Sequence, residues 1–309
     1  MTNTSKLINE ILQDFNGEYK NRTKKINFLK KISKSNVYIS KKTGTIFHSP
    51  SISTKKILEI WSKKIYAKKI NTKKIKYTSN NPIMRSRHYY SAIFINDFFK
   101  KGKKIKYCDY GTGEGNFGNE LLKLNKNIQF NFTEHSPNLY LNSVNLIKKN
   151  SSKNFFSFNG SIEDSVKNKK FKNFDAVSLL WTLCNCVKPL EVLRSINLSL
   201  KNNGLLMISE SSRILVPFKK PIYNFFVKNR HTENTHPWLF SFNSLSNLLE
   251  VSGFRIIKYN RYYDENDLVI VAKKMNTKKH SPKIKIDRIK KVKNFLKQWK
   301  KLSYDLKKL

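Results

Sequence analysis

The chain has 309 residues, 39% of them hydrophobic, which is enough for one medium domain with additions or for two small domains. Its apolar runs are all much shorter than the ~20 residues that a membrane-spanning helix needs, and the polar first residues predict no secretory signal. Three cysteines exclude a disulfide framework and predict a reducing, cytoplasmic location.

The net charge of +40 is concentrated at the two ends of the sequence. Residues 1–80 contain 19 basic and 4 acidic residues, and residues 276–309 contain 13 basic and 2 acidic residues. Most of the basic residues are lysines in a sequence also rich in Asn and Ile, which indicates A/T-rich codons. Such ends could bind nucleic acid or anionic lipid, but a solvated lysine surface is the favoured interpretation.

The N-terminal part of the chain predicts a small α+β region. Apolar residues recur at helical spacing over 5–15 and 53–67. Between these helices, residues 36–50 predict a β-hairpin that turns at a Lys-Thr-Gly tripeptide. The polar, turn-rich residues 70–80 predict a linker, and a helix over 85–99 follows it.

Strands and helices alternate from residue 105 onward. Helices that connect consecutive strands make right-handed parallel crossovers, so the predicted fold class is α/β with a doubly wound, Rossmann-like sheet. The last two strands are joined by a short polar loop, which predicts a terminal antiparallel hairpin. After the strand at residue 105, the predicted strands are 127–134, 154–158, 174–180, 204–210, 254–259 and 268–272.

A glycine-rich turn follows the first of these strands directly. It reads Asp109-Tyr-Gly-Thr-Gly-Glu-Gly115, and a helical segment comes after it. Glycine is needed where the backbone has a positive φ angle or must lie close to a nucleotide-like ligand. The dinucleotide pattern G-x-G-x-x-G fits from Gly113 to Gly118, and a second pattern, D-x-G-x-G-x-G, fits from Asp109 to Gly115. The position of Asp109 at the end of the strand favours the second pattern.

Residues 81–274 resemble a class I S-adenosylmethionine-dependent methyltransferase domain. The D-x-G-x-G-x-G string looks like motif I of that family, and Asn159-Gly-Ser-Ile-Glu163 resembles its adenine-contacting turn. The second strand ends on Glu134, where the family places an acid that binds the ribose hydroxyls. A nicotinamide-binding Rossmann domain would continue with a sixth parallel strand instead of a hairpin.

This resemblance implies S-adenosyl-L-methionine as the cofactor, held at the carboxyl ends of the strands. The residues that it implies as cofactor contacts are Asp109, Gly111, Thr112, Gly113, Gly115, Glu134, His135, Gly160, Ser161, Ile162, Leu180 and Trp181.

A narrower resemblance includes the N-terminal hairpin. A group of small-molecule and sugar methyltransferases carries a zinc ribbon with the pattern C-x-x-C-G, and here Ser40 and Thr43 stand at the two cysteine positions. Serine and threonine do not hold zinc, so we predict the hairpin without a metal. The segment from His236 to Ser241 resembles a His-x-x-x-Phe-Ser string of the same group.

The candidates for acid–base catalysis are His236, His231 and Glu233, which share the segment between the fifth strand and the last helix. Histidine is the usual base near neutral pH because its pKa already lies there, although a structural loop histidine is an equally good interpretation. An aromatic from the helix that contains His88 could cover the methionine end of the cofactor, or could pack in the core. Cys184 and Cys186 have no partner pair and are interpreted as inert.

Together these patterns predict three regions and one activity. Residues 1–80 form a helical and hairpin region that could act as a substrate lid, 81–275 the cofactor-binding domain, and 276–309 a basic amphipathic tail. The predicted activity is methyl transfer to a small molecule of the sugar or sugar-nucleotide type, and the basic residues suit an anionic acceptor. The alternatives are an RNA methyltransferase or basic RNA-binding protein, and an NAD-binding Rossmann protein.

Overall fold

The computed structural model describes residues 3–16, 23–26, 36–49, 53–60, 82–151, 154–211, 214–215, 236–260, 267–276 and 281–305. The helices are α1 (Asn3–Phe15), α2 (Thr54–Ile60), α3 (Pro82–Asn96), α4 (Asn116–Leu124), α5 (Pro137–Asn150), α6 (Ile162–Ser165), α7 (Pro189–Ser199), α8 (Phe242–Val251) and α9 (Ile289–Asp305). The strands are β1 (Thr23–Lys25), β2 (Asn36–Ser40), β3 (Ile46–Ser49), β4 (Ile105–Tyr110), β5 (Ile128–Glu134), β6 (Ser157–Asn159), β7 (Phe174–Leu180), β8 (Leu200–Ser211), β9 (Trp238–Leu239), β10 (Phe254–Asn260) and β11 (Asp267–Lys274).

The larger sheet has seven strands in the order β10-β11-β8-β7-β4-β5-β6. The five strands from β8 to β6 are parallel, and β11 and β10 complete the sheet as an antiparallel pair. The doubly wound sheet with its terminal hairpin is therefore confirmed. The chain runs outward from β4 in both directions, so the carboxyl ends of β4 and β7 flank the point where the strand order reverses. Open α/β sheets bind their ligands at that point.

The central strands are buried on both faces, which explains their nearly continuous apolar sequences. In this core the ring of Tyr107 on β4 stacks on Phe130 of β5, with ring centroids 5.7 Å apart. Strand β8 begins directly after α7, at Leu200, four residues before its predicted start. The difference arises from an irregularity in the pairing of β7 with β8. Phe174 pairs with Leu200, and the regular register begins only at Ala176, so β8 is longer than predicted.

The predicted N-terminal hairpin is present as the antiparallel pair β2–β3, and it belongs to a second sheet with the order β1-β2-β3-β9. Strand β9 comes from the segment before α8, and it pairs Trp238 with Phe47 of β3. Two segments that are far apart in the sequence are thus joined by main-chain hydrogen bonds, which the sequence patterns did not predict. Of the predicted helix 53–67 the structure describes residues 53–60, and the predicted linker 70–80 lies outside the described residues.

The turn between β2 and β3 is held by hydrogen bonds at the two positions where the resembling group has cysteines. The hydroxyl of Thr43 donates to the Asp14 carboxylate at 2.6 Å, and the Ser40 hydroxyl accepts the Thr43 N–H at 3.3 Å. On the other side, the N–H of Asp287 donates to the Thr43 carbonyl at 3.1 Å, and the Asp287 carboxylate accepts the Ser241 hydroxyl. Polar side chains therefore connect α1, the turn and the segment before α9.

Within the basic C-terminal region, α9 spans Ile289–Asp305. Val292, Leu296 and Trp299 on its inner face are buried against the second sheet, where Ile39 and Ile46 belong to the same apolar cluster. Among the described helices, none is long and apolar enough to cross a membrane.

Candidate active site

A cavity of about 390 Å3 lies at the carboxyl ends of β4, β5, β6 and β7. All the residues implied as cofactor contacts line it, with the exception of Gly115. It is also lined by residues outside that set, from α2, α3 and the segments after β6 and β7. The additional residues used below are Ile57, Leu58, Arg87, His88, Glu163 and Cys186.

The glycine turn after β4 has the backbone conformation that its sequence predicts. Gly111 and Gly113 have φ angles of 74° and 61°, in the left-handed region that glycine adopts without strain. A Cβ atom built on Gly111 would lie 2.9 Å from the side chain of Thr182. A Cβ atom on Gly113 would meet no atom within 4 Å, because that position faces the cavity. The turn therefore presents bare backbone to the space where a ligand would lie.

Gly115 has a different role from its neighbours. It is the residue before α4, with a φ angle of 80°, and a Cβ there would lie 3.1 Å from the backbone of Ser143 on α5. The hydroxyl of Ser143 donates to the Gly113 carbonyl at 2.8 Å. Gly115 thus allows α4 and α5 to approach closely and supports the turn from behind.

Glu134 connects the end of β5 to the glycine turn. One carboxylate oxygen accepts the N–H of Gly113 at 2.8 Å, and the other accepts the N–H of Ser136 at 2.9 Å. The side chain is 8% exposed, and this burial raises the pKa of the carboxyl to about 7. Each carboxylate oxygen has a second lone pair, so both can still accept a hydroxyl proton from a ligand in the cavity.

Asp109 lies deeper, at the end of β4. Its carboxylate accepts the hydroxyl of Ser178 on β7 at 2.5 Å, which links the two strands on either side of the reversal point. Burial raises the pKa of Asp109 to about 6. The Asp109 carboxylate can therefore orient the glycine turn, and it also lines the cavity.

The turn after β6 is attached to the same edge of the sheet. Gly160 donates its N–H to the carbonyl of Glu134 at 3.1 Å, and the Asn159 amide donates to the same carbonyl at 2.8 Å. The Ser161 hydroxyl accepts the N–H of Asp164 at 3.1 Å and caps the short helix α6. These bonds hold the backbone of Gly160 and Ser161, together with Ile162, against the cavity.

Trp181 forms the wall after β7. Its φ angle of 52° is unusual for a residue with a large side chain, and its N–H donates to the Ser209 carbonyl at 2.7 Å. The ring of His88 meets it edge-on with centroids 5.4 Å apart, and the guanidinium of Arg87 lies 5.9 Å from the ring centre. Arg87 also pairs with Asp267 at 3.1 Å, so α3 is anchored to β11 beside the cavity. Arg87 carried no signal in the sequence, because only the fold brings α3 to Trp181.

The cavity fits a cofactor that has both polar and apolar parts. The Nδ1 atom of His135 and the Nε1 atom of Trp181 are buried without a hydrogen-bond partner in the described structure, and both residues line the cavity. A buried polar atom without a partner is costly, and a bound ligand that offers hydrogen bonds would remove that cost. Together with the bare turn at Gly113 and the Glu134 carboxylate, these atoms suit a nucleoside that carries an amino acid.

The described part of the chain does not place any of the predicted catalytic residues at this cavity. His236 directly precedes β9, where the neighbouring Pro237 carbonyl accepts the His48 N–H at 2.9 Å, and His236 is not among the residues that line the cavity. His231 and Glu233 lie outside the described residues, so the role of all three as acid–base groups stays a prediction. The imidazoles that do line the cavity belong to His88 and His135.

The cysteines after β7 lie beside the cavity. Cys184 and Cys186 are thiols that form no disulfide in the described structure, and Cys186 contributes to the lining. Burial, followed by the charges of Glu163 and Glu210, raises the pKa of the Cys186 thiol, which keeps it protonated and weakly nucleophilic. Among the described residues, no group of three His, Cys, Asp or Glu side chains could hold a metal ion.

Solved structures with a similar fold include proteins that are named as methyltransferases. The chain resembles a candidate O-methyltransferase from Nostoc punctiforme PCC 73102 with a TM-score of 0.52 and 18% identity over 63% of this chain and 58% of that one. It resembles the pyocyanin biosynthetic protein PhzM with a TM-score of 0.51 and 13% identity over 68% of this chain and 61% of that one. It resembles the mitomycin 7-O-methyltransferase MmcR with a TM-score of 0.51 and 14% identity over 72% of this chain and 61% of that one. The chain thus matches about three-fifths of the length of each of these proteins. A comparison with curated protein sequences finds no match.

A sequence profile described as "Methyltransferase domain" matches residues 84–259. That range contains the strands of the larger sheet with the exception of β11, and it contains the glycine turn and most of the cavity lining. It covers more than half of the chain. The chain therefore belongs to the methyltransferase family of enzymes.

Proposed function

We propose that this enzyme binds S-adenosylmethionine in the cavity and transfers its methyl group to a small-molecule acceptor. The observation that carries the proposal is the pairing of Glu134 with Gly113: a buried carboxylate lies directly beside a stretch of backbone that no side chain covers. The family generally uses this cofactor, and the residues present suit it.

The strand order supports a particular direction for the cofactor along the edge of the sheet. From β6 to β7 the edge presents Gly160, Glu134, Gly111 and Trp181 in that order. Neighbouring strands lie ~4.8 Å apart, so the first and last of these strands are separated by about 14 Å. We place the adenine at Gly160, the ribose at Glu134, the amino acid at the glycine turn and the reactive end towards Trp181.

The cofactor supplies a methyl group on a positively charged sulfur, which is a good electrophile without further activation. The enzyme must hold the acceptor atom in line with that methyl group and exclude water. Trp181, His88 and Arg87 on one side, and Ile57 and Leu58 of α2 on the other, are the described residues that we assign to the acceptor end. The contribution of α2 supports the proposal that residues 1–80 act as a lid over a separate domain, 81–275.

A sugar or sugar nucleotide is the acceptor that we propose. The indole of Trp181 lines the cavity and offers an apolar surface for a sugar ring. The cavity volume of about 390 Å3 lies within the roughly 300–1,000 Å3 range of small-ligand pockets. The free cysteines support the proposal of a reducing, cytoplasmic location.

Titration calorimetry with S-adenosylhomocysteine, and with NAD(H) in parallel, tests the cofactor. We expect a saturable signal with the first ligand and none with the second, and the reverse result would replace the proposal with the nicotinamide alternative. The acceptor is tested by transfer of label from S-[methyl-14C]adenosylmethionine to a panel of sugar nucleotides and to bulk RNA. Incorporation into RNA alone would refute the small-molecule acceptor.

A further inference from the structure

The outer surface of α9 is basic along its whole described length. The inner face is used for packing, with Val292, Leu296 and Trp299 at most 4% exposed. The remaining positions from Arg288 to Ser303 include seven basic residues and no acidic residue. The acid that precedes them, Asp287, is buried and hydrogen-bonded to Ser241 and Asn243, so it does not balance this charge at the surface.

Four of the cations on this surface form no ion pair with a described acidic residue. Ion pairs between described residues occur elsewhere, and none includes Arg288, Lys290, Lys291 or Lys297. Burial, followed by the charge of Lys24 and then that of Lys297, lowers the pKa of Lys293. A folded protein tolerates such a cluster of like charges at a cost, and an external anion would relieve the repulsion.

One side of α9 is also concave. A groove of about 650 Å3 is lined there by three groups of side chains: cations, side-chain amides and apolar groups. The members of these groups are Arg288, Lys290, Lys291, Asn294, Gln298, Phe295 and Leu215. None of them lines the cofactor cavity, so the groove is a separate site.

We propose that this groove binds single-stranded nucleic acid. Lysine and arginine side chains neutralise phosphates and release counterions, amide groups hydrogen-bond to sugars and base edges, and a partly exposed aromatic ring can contact a base. The groove combines these groups within about three helical turns. The partner is therefore recognised by its phosphates, with little dependence on base sequence.

The packing of α9 argues against a membrane as the partner. A helix that lies on a bilayer inserts its apolar face among the lipids. Here that face is already buried against the second sheet, and Trp299 packs on Phe295 with ring centroids 5.8 Å apart. What remains for a partner is charge and hydrogen bonding, which suits a polyanion in water.

Fluorescence anisotropy with labelled oligo(U) and oligo(dT) of about 20 nucleotides tests this site, and the two oligonucleotides separate RNA from DNA. The test variant is Lys290→Glu/Lys291→Glu. Both residues are exposed in the first turn of α9, where glutamate is compatible with the helix dipole, so the helix is retained. The matched control is Lys169→Glu/Lys172→Glu, which removes the same charge from exposed positions between β6 and β7.

We expect the intact protein to bind at about 100 mM salt and the α9 variant to bind at least ~10-fold more weakly, with a salt slope shallower by about 1.4 for two lost phosphate contacts. The control should change affinity less than about twofold. Equal losses in both variants would show that only the total charge matters. That result, no binding of either oligonucleotide, or binding to phosphatidylserine vesicles alone would overturn the proposal. The test is independent of methyl transfer, because no groove residue lines the cofactor cavity.

Discussion

The carboxylate of Glu134 accepts the N–H of Gly113 at 2.8 Å across the gap between β5 and the turn after β4. The acid proposed to bind the ribose therefore also fixes the backbone proposed to contact the amino acid end. One buried side chain therefore sets the relative position of the two halves of the proposed cofactor site, and its burial raises the pKa of the carboxyl to about 7.

Replacing Glu134 should weaken binding of S-adenosylhomocysteine. Glu134→Ala removes an acceptor for the ribose hydroxyls and frees the Gly113 N–H, so we expect a loss of about 1.5–3 kcal/mol, or roughly 10- to 100-fold in Kd. Titration calorimetry measures this, with exposed Glu191→Ala on α7 as the control. Unchanged affinity in Glu134→Ala would show that the ribose lies elsewhere.

Cofactor binding should release a proton below pH ~7. In the free protein burial holds the pKa of Glu134 at about 7, so the carboxyl is largely protonated at pH 6. Ribose hydroxyls donate to the ionised form, so binding lowers this pKa and expels the proton. Calorimetry at pH 6 in buffers of different ionisation enthalpy should show this proton release. The release should vanish at pH 8.5, and it should be absent at pH 6 in the Glu134→Gln variant. Proton uptake at pH 6 would contradict the assignment.

Burial of acids should make the protein less stable as the pH rises through neutrality. Glu210 on β8 is 2% exposed, accepts the N–H of Cys184 at 3.0 Å, and has a pKa raised by burial from 4.5 to about 7. Because the folded pKa is the higher one, its contribution to stability is complete below pH ~4.5 and is lost as the pH rises through about 7. Urea unfolding should show a decline over pH 5–8 that is smaller in Glu210→Gln. An identical decline in that variant would assign the effect to other groups.

The N-terminal turn should depend on the hydrogen bonds of Thr43. Thr43→Val keeps the shape of the side chain and removes the hydroxyl that donates to Asp14 at 2.6 Å, so it should lower the free energy of unfolding by about 1–3 kcal/mol. Thr43→Ser keeps the hydroxyl and should cost less. Denaturant unfolding measures both variants, and elemental analysis should find no stoichiometric zinc in the intact protein. Bound zinc, or equal effects of Val and Ser, would refute this account.

Local sequence was sufficient for the sheet and for most of the cavity lining. Asp109, the glycine turn and Glu134 each lie at the end of an apolar strand, and in a parallel sheet the ends of neighbouring strands meet without further information. That is why the cofactor contacts implied by motif order line one cavity, with the exception of Gly115. Gly115 differs because its neighbour is Ser143 on α5, and a contact between two helices has no signature in a glycine pattern.

The acceptor side was less accessible from sequence because long-range packing builds it. Arg87 and His88 reach Trp181 because α3 packs on the core of the sheet through Ala92 and Ile95, and an ion pair of Arg87 with Asp267 adds a contact to the last strand. In the same way, the position of His236 depends on β9 pairing with β3, which is encoded by two residues far from β3 in sequence. Periodicity predicts elements, but it carries no information on which distant elements will pair.

Gly113 and Gly102 provide a matched pair for the final prediction. Both have positive φ angles, 61° and 77°, and a Cβ built on either one meets no atom within 4 Å. Alanine at either position should therefore cost a similar ~1 kcal/mol of stability from backbone strain, since neither creates a clash.

Only the Cβ at position 113 would project into the cavity, where we place the cofactor, whereas Gly102 lies in an exposed turn after α3. Gly113→Ala should weaken binding of S-adenosylhomocysteine at least ~10-fold through lost close approach, and Gly102→Ala should leave it unchanged. Thermal unfolding of the two variants measures the loss of stability from backbone strain, and calorimetry measures the affinity for S-adenosylhomocysteine. Equal affinities would show that the ligand does not pass over Gly113.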